Sequence, residues 1–149
     1  MQNLHLQSDA AFENPGYKLF SAGQMAAGTF FGSILTGGYM LASNYSNLGE
    51  KNKADRTVVL SICGFVLLLI GTMGLFDEMS EHSSRRLARM LNLGIAIGFL
   101  LLVKNLQGIE YTNHIEAGSG RVSNWKVAAV VVVISVLYSA IVVPLSMGL

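Results

Sequence analysis

The sequence predicts an all-α integral membrane bundle of four transmembrane helices, and three observations carry that prediction. Charged residues make up only 13% of the chain against 52% hydrophobic, whereas a soluble domain carries about 25% charged residues. Nine acids and ten bases cannot wet the surface of a soluble domain of 149 residues. The apolar residues gather into long uncharged runs, and the mean hydropathy is +0.49. Those runs hold many of the sixteen glycines, a residue more frequent in membrane helices than in soluble ones.

Each element can be justified in turn. Residues 1–16 (MQNLHLQSDAAFENPG) form a polar tail without the basic and apolar regions of a cleavable signal peptide. Residues 17–149 then read as a single transmembrane domain. Its first span, about 19–44, contains no charged side chain. The second, 57–76, reads TVVLSICGFVLLLIGTMGLF, again without a charge. A bilayer core about 30 Å thick needs roughly 20 helical residues, and both runs suffice. The third has only fourteen uncharged residues, 90–103, between Arg89 and Lys104. Those two side chains can snorkel to the interfaces and extend the span to 87–106; a re-entrant or interfacial helix is the alternative. The fourth, 126–147, contains VVVVISVLY, strand-like in composition. Its length exceeds that of ordinary strands, and backbone groups in lipid must be paired within the segment, so a helix is expected.

Three polar connections separate the spans: SNLGEKNKADR, DEMSEHSS and a longer one over 105–124. The last opens with QGIEYTNHIE, expected as a short surface helix, and continues with the turn signal EAGSGR. With four spans, Lys51, Lys53, Arg56, Lys104, Arg121 and Lys126 lie on one side, and Lys18, Arg85, Arg86 and Arg89 on the other. The basic side stays in the cytoplasm, which places both termini outside. Tyr17, Tyr45 and Trp125 fall where interfacial anchors belong.

The glycines explain themselves in lipid. Tails are as apolar as leucine, so helices associate through close backbone approach at small residues. Gln24, Gly28, Gly32 and Thr36 recur every four residues as one seam of the first span. The second offers Ser61, Gly64 and Gly71; the third Gly94 and Gly98, with Asn92 nearby; the fourth Ser135 and Ser139. These seams serve packing within the chain or between copies. A sharper alternative breaks the first helix at SILTGG and exposes backbone to a solute, as discontinuous transporter helices do.

Catalytic chemistry finds little support. DEMSEH and the pair Glu110 and His114 hold metal-ligating types at helical spacing, yet each reads as a solvated surface segment. No Asp, Glu, Lys, Arg or His lies deep in any span, where relays and coupled transporters place them. Glycine loops for phosphate are absent as well. The single cysteine, Cys63, excludes an internal disulfide and reads as an inert thiol in an apolar run. No enzyme, cofactor or metal is therefore expected, and a net charge of +1 gives no field to attract nucleic acid.

The stretch YKLFSAGQMAAGTFFGSILTGGYMLASNYSNLGEK, residues 17–51, resembles the opening of a group of small bacterial multi-pass membrane proteins of uncharacterised function. That group shares a Y-S-P-x-Q start, an A-T-F-L-G-G-P-L-A-x-G core and an N-F/Y-x-x-L-G-K end, with a later H-L-x-x-G-G…S-W-W region. Matching residues are Tyr17, Gln24, Thr29, Phe30, Gly32, Leu35, Gly38, Asn44, Leu48, Gly49, His114, Gly118, Ser123 and Trp125. The chain departs at Ala22 and Ile34, where the group has proline, and the second loss weakens a broken-helix reading. The resemblance implies a bacterial multi-pass protein and supplies no activity.

Taken together, the residues point to an interaction or scaffold subunit, or a homo-oligomer, packed through Gly28, Gly32, Thr36, Gly64, Gly71, Gly94 and Gly98. The alternative is a passive or weakly selective channel or transporter for small solutes. Gln24, Asn92, His114 and Trp125 form the candidate polar site. Expected partners are the lipid bilayer and either a second copy or another membrane protein.

Overall fold

One serine sets the architecture. The computed structural model describes residues 16–76 and 81–146, and these form five helices: α1 Ala22–Gly32, α2 Ile34–Asn47, α3 Lys51–Phe76, α4 Glu81–Glu116 and α5 Asn124–Ser146. Among the described residues there is no strand, only an isolated bridge of Leu19 with Arg121. The all-helical class is as expected. The polar tail up to residue 15 and most of the DEMSEH cluster lie outside the described residues.

The expectation of one continuous span over 19–44 is corrected. A capping box starts α1: the Ser21 hydroxyl accepts from the Gln24 backbone N–H (3.2 Å), and the Gln24 amide oxygen accepts from that of Ser21 (3.0 Å). Twelve residues after Ser21 the helix stops at Ser33, whose φ of 92° and ψ of 170° lie in a region nearly reserved for glycine. Ser33 then caps α2, its hydroxyl accepting from the Leu35 N–H at 3.3 Å. Thr36 ties the new helix to the old one by donating to the Gly32 carbonyl at 2.9 Å. Proline at Ile34 is not required for this break, because the serine cap and the threonine clasp supply it. Ala22 and Ile34 are both first helical residues, where proline is well accommodated.

The two short helices fold back on each other as a hairpin. Phe20 and Asn44 close its base: the Asn44 side chain accepts from the Phe20 N–H and donates to the Phe20 carbonyl, both at 2.8 Å. Gly28 faces Met40 and Thr36 across the pair, where an added Cβ would come within 2.9 Å of the Met40 methyl. Small residues therefore permit the close approach expected of them, though between halves of one predicted span.

Around the hairpin stand the three long helices, and every substantial helix–helix packing involves α1 or α2. α3 runs antiparallel to α2, with Gly38 set against Ser61 and Ile34 against Gly64. α4 returns beside them, Phe99 near Gly37 and Gln107 against Asn44. α5 leaves from the hairpin base, where Gln24 donates to the Val122 carbonyl. The buried apolar cluster, including Phe20, Met25, Met40, Leu41 and Val103, fills the base half of this assembly.

Several further expectations are revised. The third apolar segment is part of a 36-residue helix, about 54 Å long, so 87–106 understates it. QGIEYTNHIE continues α4 instead of forming a separate surface helix; the expected turn follows, at Gly118 with φ 79°. Tyr45 is buried beneath Lys53, whose ammonium sits 5.6 Å from its ring centre, while Trp125 is 81% exposed. Leu19 bridges Arg121 at the hairpin base, and α5 runs 23 residues from Asn124 to Ser146.

Among the described residues two helices are long and apolar enough to cross a membrane: Lys51–Thr72 within α3 and His82–Glu116 within α4. Only 11% of each apolar window is buried in the protein. Leu60, Leu67, Met90 and Val136 all point outward, the reverse of a water-soluble surface, where apolar patches stay small.

Candidate functional site

The hairpin tip opens onto a cavity. Ser33 and the last turn of α1 form one wall, and α3, α4 and α5 form the others, enclosing about 320 Å³. Its polar lining consists of Thr29, Ser33, Thr72, Asn92, Ser135 and Tyr138; Phe30, Phe31 and Phe65 contribute aromatic surface. Among the described residues no charged side chain borders it. Phe65 and Tyr138 meet edge to face at 5.6 Å, joining α3 to α5 at the level of the tip.

The break gives this cavity its chemistry. A helix ends and another begins at Ser33; side chains satisfy the Gly32 carbonyl and the Leu35 N–H there, and the remaining helix-end groups at the break lack intrahelical partners. Their partial charges are opposite in sign. A neutral solute with both donors and acceptors suits such a place, whereas a bare ion would find no counter-charge and lose its hydration. Holding Ser33 in this backbone region costs about 1–3 kcal/mol, and such strain concentrates at functional sites.

A second polar region lies at the hairpin base. Asn44 is 1% exposed and also donates to the Gln107 amide oxygen at 3.1 Å. Gln24 is saturated, its amide donating to the Val122 carbonyl (2.7 Å) and to Asn124 (2.8 Å). His114 is buried against Tyr17, the rings stacked 4.9 Å apart. Among the described residues two buried nitrogens, Gln107 Nε2 and His114 Nε2, have no hydrogen-bond partner.

The residues singled out from sequence do not form one site. Asn92 lines the tip cavity, Gln24 and His114 belong to the base, and Trp125 projects outward beside them. Of the packing set, Gly28, Gly32 and Thr36 are buried in the hairpin, and Gly64 touches Ile34. Gly71, Gly94 and Gly98 face open space within the single chain, so the expected α4 seam is not used internally, while the α3 seam is used at Ser61 and Gly64 but not at Gly71. Glu110 is exposed while His114 is buried, and no group of three metal-ligating side chains occurs among the described residues.

The alternative break at SILTGG is the one the structure has, but sequence reasoning looked to Gly37 and Gly38 for it and missed Ser33, and it missed Gln107. Positive φ is ordinarily announced by glycine or asparagine, and Ser33 offers no such signal. Gln107 sits in a polar stretch three residues beyond Lys104 and reads there as surface. Set against protein-family models, curated proteins and solved structures, the chain matches none.

Proposed function

We propose that this protein is a multi-pass membrane protein that passes a small uncharged polar solute at the tip of a re-entrant helical hairpin. The observation that carries the reading is the break at Ser33, a serine in glycine-only backbone geometry, opening into an uncharged cavity with a polar lining. α1 is eleven residues long, about 16 Å, which takes the tip roughly halfway through a 30 Å hydrocarbon core. Irregular backbone at that depth is tolerated only where protein covers it or it lines a cavity. α3, α4 and α5 then span, and α1 with α2 dips in and returns.

This topology alters the orientation expected from sequence. Lys18 joins Lys51, Lys53, Arg56, Lys104, Arg121 and Lys126 at the base, leaving Arg85, Arg86 and Arg89 at the other end. Basic residues favour the cytoplasm, so the base and the N-terminal side face inward and α5 ends outside. A bacterial inner membrane suits this arrangement and the resemblance of residues 17–51.

The test is osmotic flux. Proteoliposomes challenged with glycerol or urea should equilibrate faster than protein-free vesicles, and Asn92→Leu or Ser135→Leu should slow them while preserving helicity. Flux equal to that of empty vesicles removes the proposal.

A second reading, assembly as an interaction subunit, is favoured by Gly94 and Gly98 on α4. They keep GxxxG spacing and meet nothing within 4 Å in the single chain, leaving that seam for another helix. Gly98→Leu should then convert an oligomer to a monomer in mild detergent; a wild-type monomer ends this reading.

A further inference from the structure

The first turn of α1 is flanked by two cavities that the tip site does not use. Both are bordered by Ser21 and Gly23. On the α4 side lies a space of about 310 Å³ bordered by Lys104, Gln107, Tyr111 and Thr112. On the α5 side lies a larger one of about 770 Å³. Its base end carries Arg121, Asn124 and Gln24; below them run Ala27, Phe31, Val131 and Val132.

We infer that this paired groove holds an anionic phospholipid, its phosphate at the amino end of α1 between Arg121 and Lys104 and an acyl chain along the α1–α5 furrow. Charge complementarity is the first support: among the described residues one cation borders each cavity and no carboxylate borders either. The helix end adds to it. α1 has no acidic residue in its first turn, and the N–H groups of Ala22 and Gly23 have no partner within the helix, an arrangement suited to an anion.

Gln107 is the independent sign of a ligand. It is 3% exposed, and its orientation is fixed through a chain of bonds. Asn44 is held by both backbone groups of Phe20, so it must present its amide N–H to Gln107 Oε1. Gln107 Nε2 is thereby left as a buried donor without a partner in a residue that borders the cavity. Nε2 itself is closed to water-sized molecules, so an acceptor in the cavity satisfies it once the Gln107 amide turns toward that space.

The furrow distinguishes a lipid from a free anion. From Asn124 to Val132 is eight residues, about 12 Å along α5, and polar lining gives way to apolar lining in that direction. A phospholipid at the base-side interface has the same order, head then chain. The assignment rests on the membrane placement proposed above and is independent of solute permeation.

Trp125, the single tryptophan, is 81% exposed and adjoins Asn124, so it reports on the site. The protein is reconstituted into phosphatidylcholine vesicles containing equal mole fractions of brominated phosphatidylglycerol or brominated phosphatidylcholine, and quenching of Trp125 is compared after flotation. The anionic lipid should be enriched at Trp125 on the order of tenfold, the scale that surface cations supply. Lys104→Gln combined with Arg121→Gln should abolish the preference. Lys104→Arg with Arg121→Lys should keep it, as should Arg89→Gln at the far end of α4. Equal quenching by the two lipids overturns the assignment. So does a preference that survives the double glutamine variant, or one removed by excess inorganic phosphate. Failure to float overturns the membrane placement itself, and this inference with it.

Discussion

Replacing Ser33 distinguishes the hairpin from a continuous helix by the sign of a stability change. In the structure its φ of 92° strains any residue with a Cβ by about 1–3 kcal/mol. Ser33→Gly removes that strain. It forfeits the hydroxyl cap on Leu35 N–H, a loss of a few tenths of a kcal/mol for glycine, and adds about 0.5–1 kcal/mol of backbone entropy cost. The balance is a gain of about 1 kcal/mol. Ser33→Ala keeps the strain and loses the cap, a destabilisation of about 1 kcal/mol. Glycine should thus exceed alanine by about 2 kcal/mol, with serine between them. A helix running unbroken through residue 33 demands the reverse order, alanine above glycine by about 1 kcal/mol. Denaturant titration in micelles, followed by Trp125 fluorescence and helical circular dichroism, measures the three proteins under one condition. Alanine more stable than glycine would refute the hairpin and the site built on it.

Other perturbations test the remaining links. Asn44→Leu strips both Phe20 backbone groups of their partner; at about 1–3 kcal/mol for each unsatisfied group, the same titration should register a loss of about 3–5 kcal/mol, and a loss under about 1 kcal/mol would deny the clasp a structural role. Gly38→Ala drives a methyl into Ser61 and should cost about 1–3 kcal/mol by overpacking. Ser61→Gly in the same chain should return most of that, and strict additivity in the double-variant cycle would separate α2 from α3. Leu67 lies on the outer face of α3, 70% exposed. If lipid covers it, Leu67→Lys should raise the apparent insertion free energy by about 2.5–3.5 kcal/mol in a translocon assay; a change within about 0.5 kcal/mol is the water-exposed outcome.

Helical class and apolar character were legible because hydropathy sums over windows of side chains and needs no knowledge of what they touch. Runs such as TVVLSICGFVLLLIGTMGLF declare a helix and an apolar surround by composition alone. The role of small residues was legible for a similar reason: Gly28 and Gly32 stand at helical spacing wherever their partner comes from. Of the candidate site, Asn92 and Ser135 were within reach as polar residues in apolar runs.

Beyond that, tertiary contacts took over. A run over 19–44 without a charge fits one long helix or two short ones equally well, since both bury the same side chains and pair nearly the same backbone groups. Local propensity differs between them by a few kcal/mol at most, an amount that distant partners can outweigh. Here Asn44 grips Phe20 from 24 positions away and reaches Gln107 across 63, while Gln24 grips Val122 across 98. Those bonds hold the two ends of the run together, so the chain must turn, and the strain of turning falls on Ser33. A window of sequence carries no record of such separations. The chain by itself specified helices with an oily exterior; which of them turns back, and therefore where a polar cavity sits, followed from hydrogen bonds between residues far apart in sequence.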